Sequence, residues 1–128
     1  MLKNPRPPRV LVVDDEWLIR WALRESLEAK GYEVSEAVDA ASTRKAVADE
    51  GAHPDAVVLD YRLPDSSDLC LLTAIRHARP STPVIMMTAH GTAEMIKDAL
   101  DLGAYRVVGK PFEVDQIADL VAEALTAR

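Results

Sequence analysis

Asp55-Ala56-Val57-Val58-Leu59-Asp60, followed by Tyr61-Arg62-Leu63-Pro64-Asp65, is the stretch that decides the fold. Four apolar residues in a row, without alternation, mark a strand covered on both faces. A carboxylate where such a strand runs out is held rigidly yet stays open to solvent on one side. Three further runs end in the same manner. Val10-Leu11-Val12-Val13 ends at Asp14 and Asp15, and Pro83-Val84-Ile85-Met86-Met87 ends at Thr88 and Ala89. Tyr105-Arg106-Val107-Val108 is followed by Gly109, Lys110 and Pro111. In parallel strands, these acids, the hydroxyl and the lysine all face one crevice with Asp60.

Helical patterns separate the runs. Ile19, Ala22, Leu23, Ser26 and Leu27 repeat at helical spacing and Gly31 supplies a stop. Residues 32–38 read as a weaker, more polar strand at a sheet edge. Asp39 is a cap for a helix over 40–50 that ends at Gly51. Ser66, Ser67 or Asp68 caps a third helix with an inner stripe of Leu69, Leu72 and Ile75, and Pro80 and Pro83 bracket the turn that follows. Thr92 caps a fourth helix carrying Met95, Ile96, Ala99 and Leu100, stopped at Gly103. Phe112 leads into a fifth helix with Ile117, Leu120, Val121, Ala124 and Leu125. Alternation of this kind predicts a parallel sheet with helices on both faces, in which ligands sit beyond the carboxyl ends of the strands.

At 128 residues the chain is one domain, with 48% hydrophobic and 28% charged residues. Its single cysteine, Cys70, excludes an internal disulfide and a multi-cysteine metal site, and a reducing cytoplasm is expected. The net charge of -6 argues against direct nucleic-acid contact by this domain. No apolar stretch approaches the ~20 residues of a membrane span. Residues 1–8, rich in proline and basic side chains, read as a flexible leader rather than a signal peptide, and residues 9–128 as the domain.

Asp14 and Asp15 alone are an ordinary acidic turn before a helix N-terminus. Asp60 alters that balance. Three carboxylates brought together repel unless a cation neutralises them, and oxygen ligands at a partly solvated strand end suit Mg²⁺. A carboxylate beside Mg²⁺ can act as a nucleophile that forms an aspartyl-phosphate, with catalysis mainly by positioning and electrostatics. Lys110 then supplies a compact positive charge, and Thr88 a hydroxyl that reports the phosphoryl group. Taken singly, Lys110 reads equally as a surface lysine at a turn and Thr88 as an ordinary strand residue.

Val12-Val13-Asp14-Asp15-Glu16, Leu59-Asp60-Tyr61-Arg62-Leu63-Pro64-Asp65, Met87-Thr88-Ala89-His90 and Gly103-Ala104-Tyr105 through Lys110-Pro111-Phe112 resemble, as a set, the receiver domain of bacterial two-component response regulators. The resemblance implies a flavodoxin-like fold, with five parallel strands in the order 2-1-3-4-5 flanked by five helices. It implies Asp60 as phosphoacceptor, fed by a phosphohistidine on a sensor histidine kinase. Asp15, Asp60 and the Arg62 backbone carbonyl would bind Mg²⁺, with Asp14 acting through water. Lys110 would pair with a phosphoryl oxygen, its bond to Pro111 being cis. Thr88 would shift toward the phosphoryl group and couple it to the fourth helix. Ile19-Arg20-Trp21 and Thr88-Ala89-His90-Gly91-Thr92 further resemble the nitrogen-regulatory activators, which drive an ATPase and a DNA-binding domain. No such segment follows Arg128, so a single-domain regulator or an excised receiver is expected.

Some positions depart from the family. Val107 stands where an aromatic residue usually swings between exposed and buried positions, and valine has neither the reach nor the rotamers for that. Tyr105, expected on the same strand face as Val107, is the aromatic left to assist Thr88 and the fourth helix. Asp68 replaces a customary glycine. Arg62 and His90 would flank the phosphoryl group and tune attack by water, although His90 reads equally as a plain loop histidine. Excess apolar character at Met95, Ile96, Leu100 and Leu102 fits either a core stripe or a phosphorylation-dependent homodimer through the fourth helix, fifth strand and fifth helix. Arg106, Lys97, Asp98 and Asp101 would add charge pairs there. The alternative reading is a Mg²⁺-dependent aspartyl-phosphate phosphohydrolase. Such enzymes need an acid two residues after the nucleophile, where this chain has Arg62. A third, an unphosphorylated interaction domain of the same fold, is disfavoured by the intact acceptor-site set.

Overall fold

A computed structural model describes residues 6–127. Ten elements alternate along them: β1 Arg9–Val13, α1 Trp17–Ala29, β2 Glu33–Ala37, α2 Ala40–Ala48, β3 Ala56–Asp60, α3 Cys70–Ala78, β4 Val84–Thr88, α4 Ala93–Asp101, β5 Arg106–Gly109 and α5 Val114–Ala127. All strand pairs are parallel, in the order β2-β1-β3-β4-β5, as expected. The unalternating runs are the three central strands. Every residue of β3 and β4 is buried, and β1 is buried after its first residue. The polar β2 and the short β5 form the edges.

Strand alternation splits the core into two layers. Leu11, Val13, Val57, Leu59, Val84 and Met86 meet Val47 of α2, Leu72 and Ile75 of α3 and Ala99 of α4 on one face. Val10, Val12, Val58, Ile85 and Met87 meet Leu23 and Leu27 of α1 and Ile117 and Val121 of α5 on the other. Burial of these side chains, each stabilising by roughly 1.5–3 kcal/mol, fixes the register of the sheet.

The expected punctuation is present. Asp39 accepts a hydrogen bond from Ser42 N–H at 2.8 Å and caps α2, and Thr92 accepts from Met95 N–H at 3.1 Å and caps α4. Among the three candidates before α3, Asp68 acts: its carboxylate accepts from Cys70 N–H at 2.9 Å, although Leu69 occupies the cap position. Gly103 ends α4 with φ +105°, a conformation that side chains with a Cβ avoid. The Lys110–Pro111 bond is cis, as expected.

Of the expected leader, residues 1–5 lie outside the described residues. The segment behind them is tied down: Arg6 pairs with Asp55 at 2.9 Å, and the Pro8 carbonyl accepts from Glu33 N–H at 3.0 Å. No helix among the described residues is long and apolar enough to cross a membrane.

One expectation is corrected here. Tyr105 does not share a face with Val107. Val107 packs against the layer containing α4, whereas Tyr105 packs against the layer of α1 and α5 and donates its hydroxyl hydrogen to Glu123 of α5. The two-residue period holds only within a strand, and β5 begins at Arg106, after Tyr105.

Candidate functional site

In this strand order the chain leaves β1 toward β2 on one side and returns as β3 on the other. The crevice at that switch point is where α/β sheets place ligands. Asp14 follows β1, Asp60 ends β3, Thr88 ends β4 and Lys110 follows β5. Asp15, Asp60, Arg62, Thr88 and Lys110 line one cleft of about 520 Å³ together with Ala89 and His90. The sequence-derived residues are thus brought together.

Asp14 is fully buried and Asp60 is 6% exposed, which makes their charges costly. Lys110 answers both, its Nζ lying 2.9 Å from Asp14 and 3.2 Å from Asp60. Asp14 is held on every side. Its carboxylate also accepts from Glu16 N–H at 2.9 Å, and its own N–H donates to the Ala37 carbonyl at 3.2 Å. Asp15, by contrast, is exposed. Arg62 N–H donates to Asp60 at 3.3 Å, and Thr88 Oγ1 accepts from His90 N–H at 3.3 Å.

Burial first, then the charge on Asp14, push the Asp60 carboxyl up to about 6, against the pull of Lys110. Burial alone would lower the Lys110 ammonium, but its bonds to Asp14 and Asp60 prevail and raise it. One carboxylate oxygen from each of Asp14, Asp15 and Asp60 lies within 4.8 Å of the others. Hard oxygen donors so grouped, with one lysine against two buried acids, fit a small divalent cation.

The sequence reading passed over the supports of this site. Asp65, in the loop after β3, accepts from Ala40 N–H at 2.7 Å and Ala41 N–H at 3.1 Å, docking that loop on the N-terminus of α2. An acid in a loop was visible, but not which helix it would meet. Arg20 reaches back from α1 to the Asp14 carbonyl at 2.8 Å.

A parallel sheet with acids, hydroxyl and lysine at its carboxyl edge defines a phosphoryl-handling α/β module. Comparison with known proteins gives the family. Residues 10–122 match the family model of the response regulator receiver domain, and the chain belongs to that family. It is 36% identical over 117 residues to the DNA-binding transcriptional regulator NtrC of Proteus hauseri, covering 91% of this chain and 24% of that protein. Sporulation initiation phosphotransferase F of Bacillus subtilis is 33% identical over 117 residues, covering 91% of this chain and 93% of that one. The structure of a CheY-like receiver domain protein from Methanospirillum hungatei superposes with a TM-score of 0.88 at 27% identity, over 94% of this chain and 95% of that one. The receiver domain of NtrX from Brucella abortus does so at 0.82 and 36% identity, over 93% and 99%.

The chain is therefore a phosphoacceptor signalling domain of the two-component type, NtrC-like among receivers. The phosphohydrolase alternative is not favoured. The chain spans about a quarter of the length of the NtrC relatives it matches.

The raised Asp60 carboxyl makes a prediction for the metal-free protein. With an ordinary value of 3.8 when unfolded and about 6 when folded, Asp60 lends stability that is full below 3.8 and lost as pH rises through 6. Asp60→Asn should accordingly stabilise the metal-free protein at pH 7.5, by on the order of 1–3 kcal/mol, with the gain shrinking between pH 6 and 4. Urea unfolding across that range tests this; a gain independent of pH contradicts it.

Proposed function

We propose that residues 9–128 act in the cytoplasm to take a phosphoryl group onto Asp60 from the phosphohistidine of a sensor histidine kinase. The convergence of Asp14, Asp15, Asp60 and Lys110 at one cleft carries this reading. Asp15 and Asp60, with the Arg62 backbone carbonyl, would hold Mg²⁺. Asp14 would act through water, as the family resemblance implies, with Lys110 and Glu16 N–H holding its carboxylate in place. Mg²⁺, when bound, neutralises charge on the transferring phosphoryl oxygens. An Asp60 oxygen forms the new P–O bond as the P–N bond to the imidazole breaks, and the electron pair stays on that nitrogen. Lys110 then exchanges its contact with Asp60 for a phosphoryl oxygen. The site promotes only this phosphorylation and the later hydrolysis of the aspartyl-phosphate, which frees inorganic phosphate and the Asp60 carboxylate, with Arg62 and His90 flanking the group.

Acetyl phosphate with Mg²⁺ should add one acid-stable, base-labile phosphoryl group to the protein, and chelation of the metal should abolish it. Equal labelling of an Asp60→Asn protein sinks the assignment.

Switching runs through Thr88 and α4. A Cβ on Gly91 would stand 2.9 Å from the Thr88 methyl and 3.4 Å from Ile96, so the loop between β4 and α4 packs directly on both. Val107, half-buried against the same core layer as α4, stays in place. In NMR spectra with and without beryllofluoride, Val107→Ala should keep the separation of the two states at α4, and Gly91→Ala should reduce it. The opposite ranking puts the relay in β5.

The output is regulation of transcription through a further domain or partner, without direct nucleic-acid contact by this one. Leu100 and Leu102 are 44% and 42% exposed on and just after α4, and this surface supports a homodimer through α4, β5 and α5. Three of the charges considered for the interface are paired within the chain, Lys97 with Asp101 at 2.8 Å and Arg106 with Glu123 at 3.3 Å. Sedimentation with beryllofluoride and Mg²⁺ should give a dimer that Leu100→Asp returns to monomer; a monomer throughout counts against it.

A further inference from the structure

Asp14 and Asp15 sit on the short turn between β1 and α1, where neighbouring carboxylates repel. Arg20 occupies the first turns of α1, where its own N–H donates to the Glu16 carbonyl at 3.2 Å. Its guanidinium bridges two places at once. Nη1 donates to the Asp14 carbonyl at 2.8 Å, and Nε donates to Glu36 of β2, also at 2.8 Å. The side chain is 15% exposed, so water competes little for these bonds.

We propose that Arg20 is the positioning residue of the acid cluster, clamping the peptide between Asp14 and Asp15 so that both carboxylates meet the metal in fixed geometry. This rests on the reading of Asp14, Asp15 and Asp60 as a Mg²⁺ site. With its N–H bonded to Ala37 and its carbonyl to Arg20, the Asp14 backbone is held on both sides. A planar trans peptide then carries that constraint into Asp15, whose exposed side chain has no hydrogen-bond or ion-pair partner among the described residues. The engaged carbonyl is also withheld from the cation, leaving the turn to offer carboxylates alone.

Glu36 anchors the clamp. It accepts from Arg20 and from Arg24 Nε at 2.7 Å, and Arg24 also pairs with Glu28 at 3.0 Å. Burial raises the Glu36 carboxyl, but these two guanidinium bonds outweigh it and the net shift is downward. A lysine at position 20 keeps the charge but replaces the planar fork by a point donor, which cannot serve both partners in the same directions.

Mg²⁺ alone, titrated and read from the amide shifts of Asp15 and Arg62, tests the assignment. Arg20→Met should weaken Mg²⁺ binding by about tenfold or more, the scale of lost outer-shell support, and Arg20→Lys should recover part of it. Arg24→Met loses two ion pairs of the same network without touching the turn and should bind Mg²⁺ as the unmodified chain does. Unchanged affinity in Arg20→Met, or an equal loss in Arg24→Met, overturns the inference alone. An unmodified chain that binds no Mg²⁺ overturns the metal reading beneath it as well. Arg20→Gln, keeping one donor, carries the same comparison if the methionine variant does not fold.

Discussion

The Lys110 ammonium, 2.9 Å from Asp14 and 3.2 Å from Asp60, is the contact on which the carboxyl edge of the sheet depends. Two carboxylates buried side by side at the ends of β1 and β3 would each be driven to protonate. Lys110 comes from beyond β5, the far edge on that side, and its stem passes the end of β4 to reach them. That path requires a short residue at the end of β4, and Thr88 is short. The strand order, the small hydroxyl and the long lysine therefore solve one problem together. One lysine against two buried acids and the exposed Asp15 still leaves excess negative charge, and this imbalance is what makes the edge receptive to a divalent cation.

The sequence was legible where a single physical rule dominates. Unalternating apolar runs predicted β1, β3 and β4, because a strand buried on both faces has nowhere to place a polar side chain. Asp39 and Thr92 announced their helices, because an N-terminal turn needs an acceptor for its free N–H groups. The site residues were legible for a related reason. Charged or hydroxylic side chains at the ends of apolar runs fall at the boundary between core and water, and parallel pairing puts those boundaries on one side.

What stayed illegible depends on contacts between elements distant in sequence. Asp65 meets α2, and Arg20 spans the turn after β1 and the side of β2, and neither contact leaves a periodic mark. Tyr105 was misplaced because alternation was extended one residue beyond the strand to which it applies. The exposed indoles of Trp17 and Trp21, 68% and 54% accessible on α1, also contradict any rule that large apolar residues lie inside.

The relay proposed from the site to α4 follows from which contacts can differ between two states, since only differential contacts shift an equilibrium. Val107 packs on the core layer that α4 covers, and its stiff χ1 offers no second position. Thr88 has two attachments to the loop that follows β4. Its hydroxyl accepts from His90 N–H, and its methyl lies against Gly91 and, through it, Ile96. A phosphoryl oxygen accepts the hydroxyl hydrogen, which the bond from His90 N–H leaves free, and a rotation of Thr88 toward it moves both the Oγ1 acceptor of that N–H and the methyl. Both displacements reach α4 within one turn of its Thr92 cap, at the end of the helix with least burial: only Ala99 among its residues is fully inside. A helix held so lightly can change position at small cost, so a valine at the usual aromatic position need not prevent switching when the mobile element beside it is α4 itself.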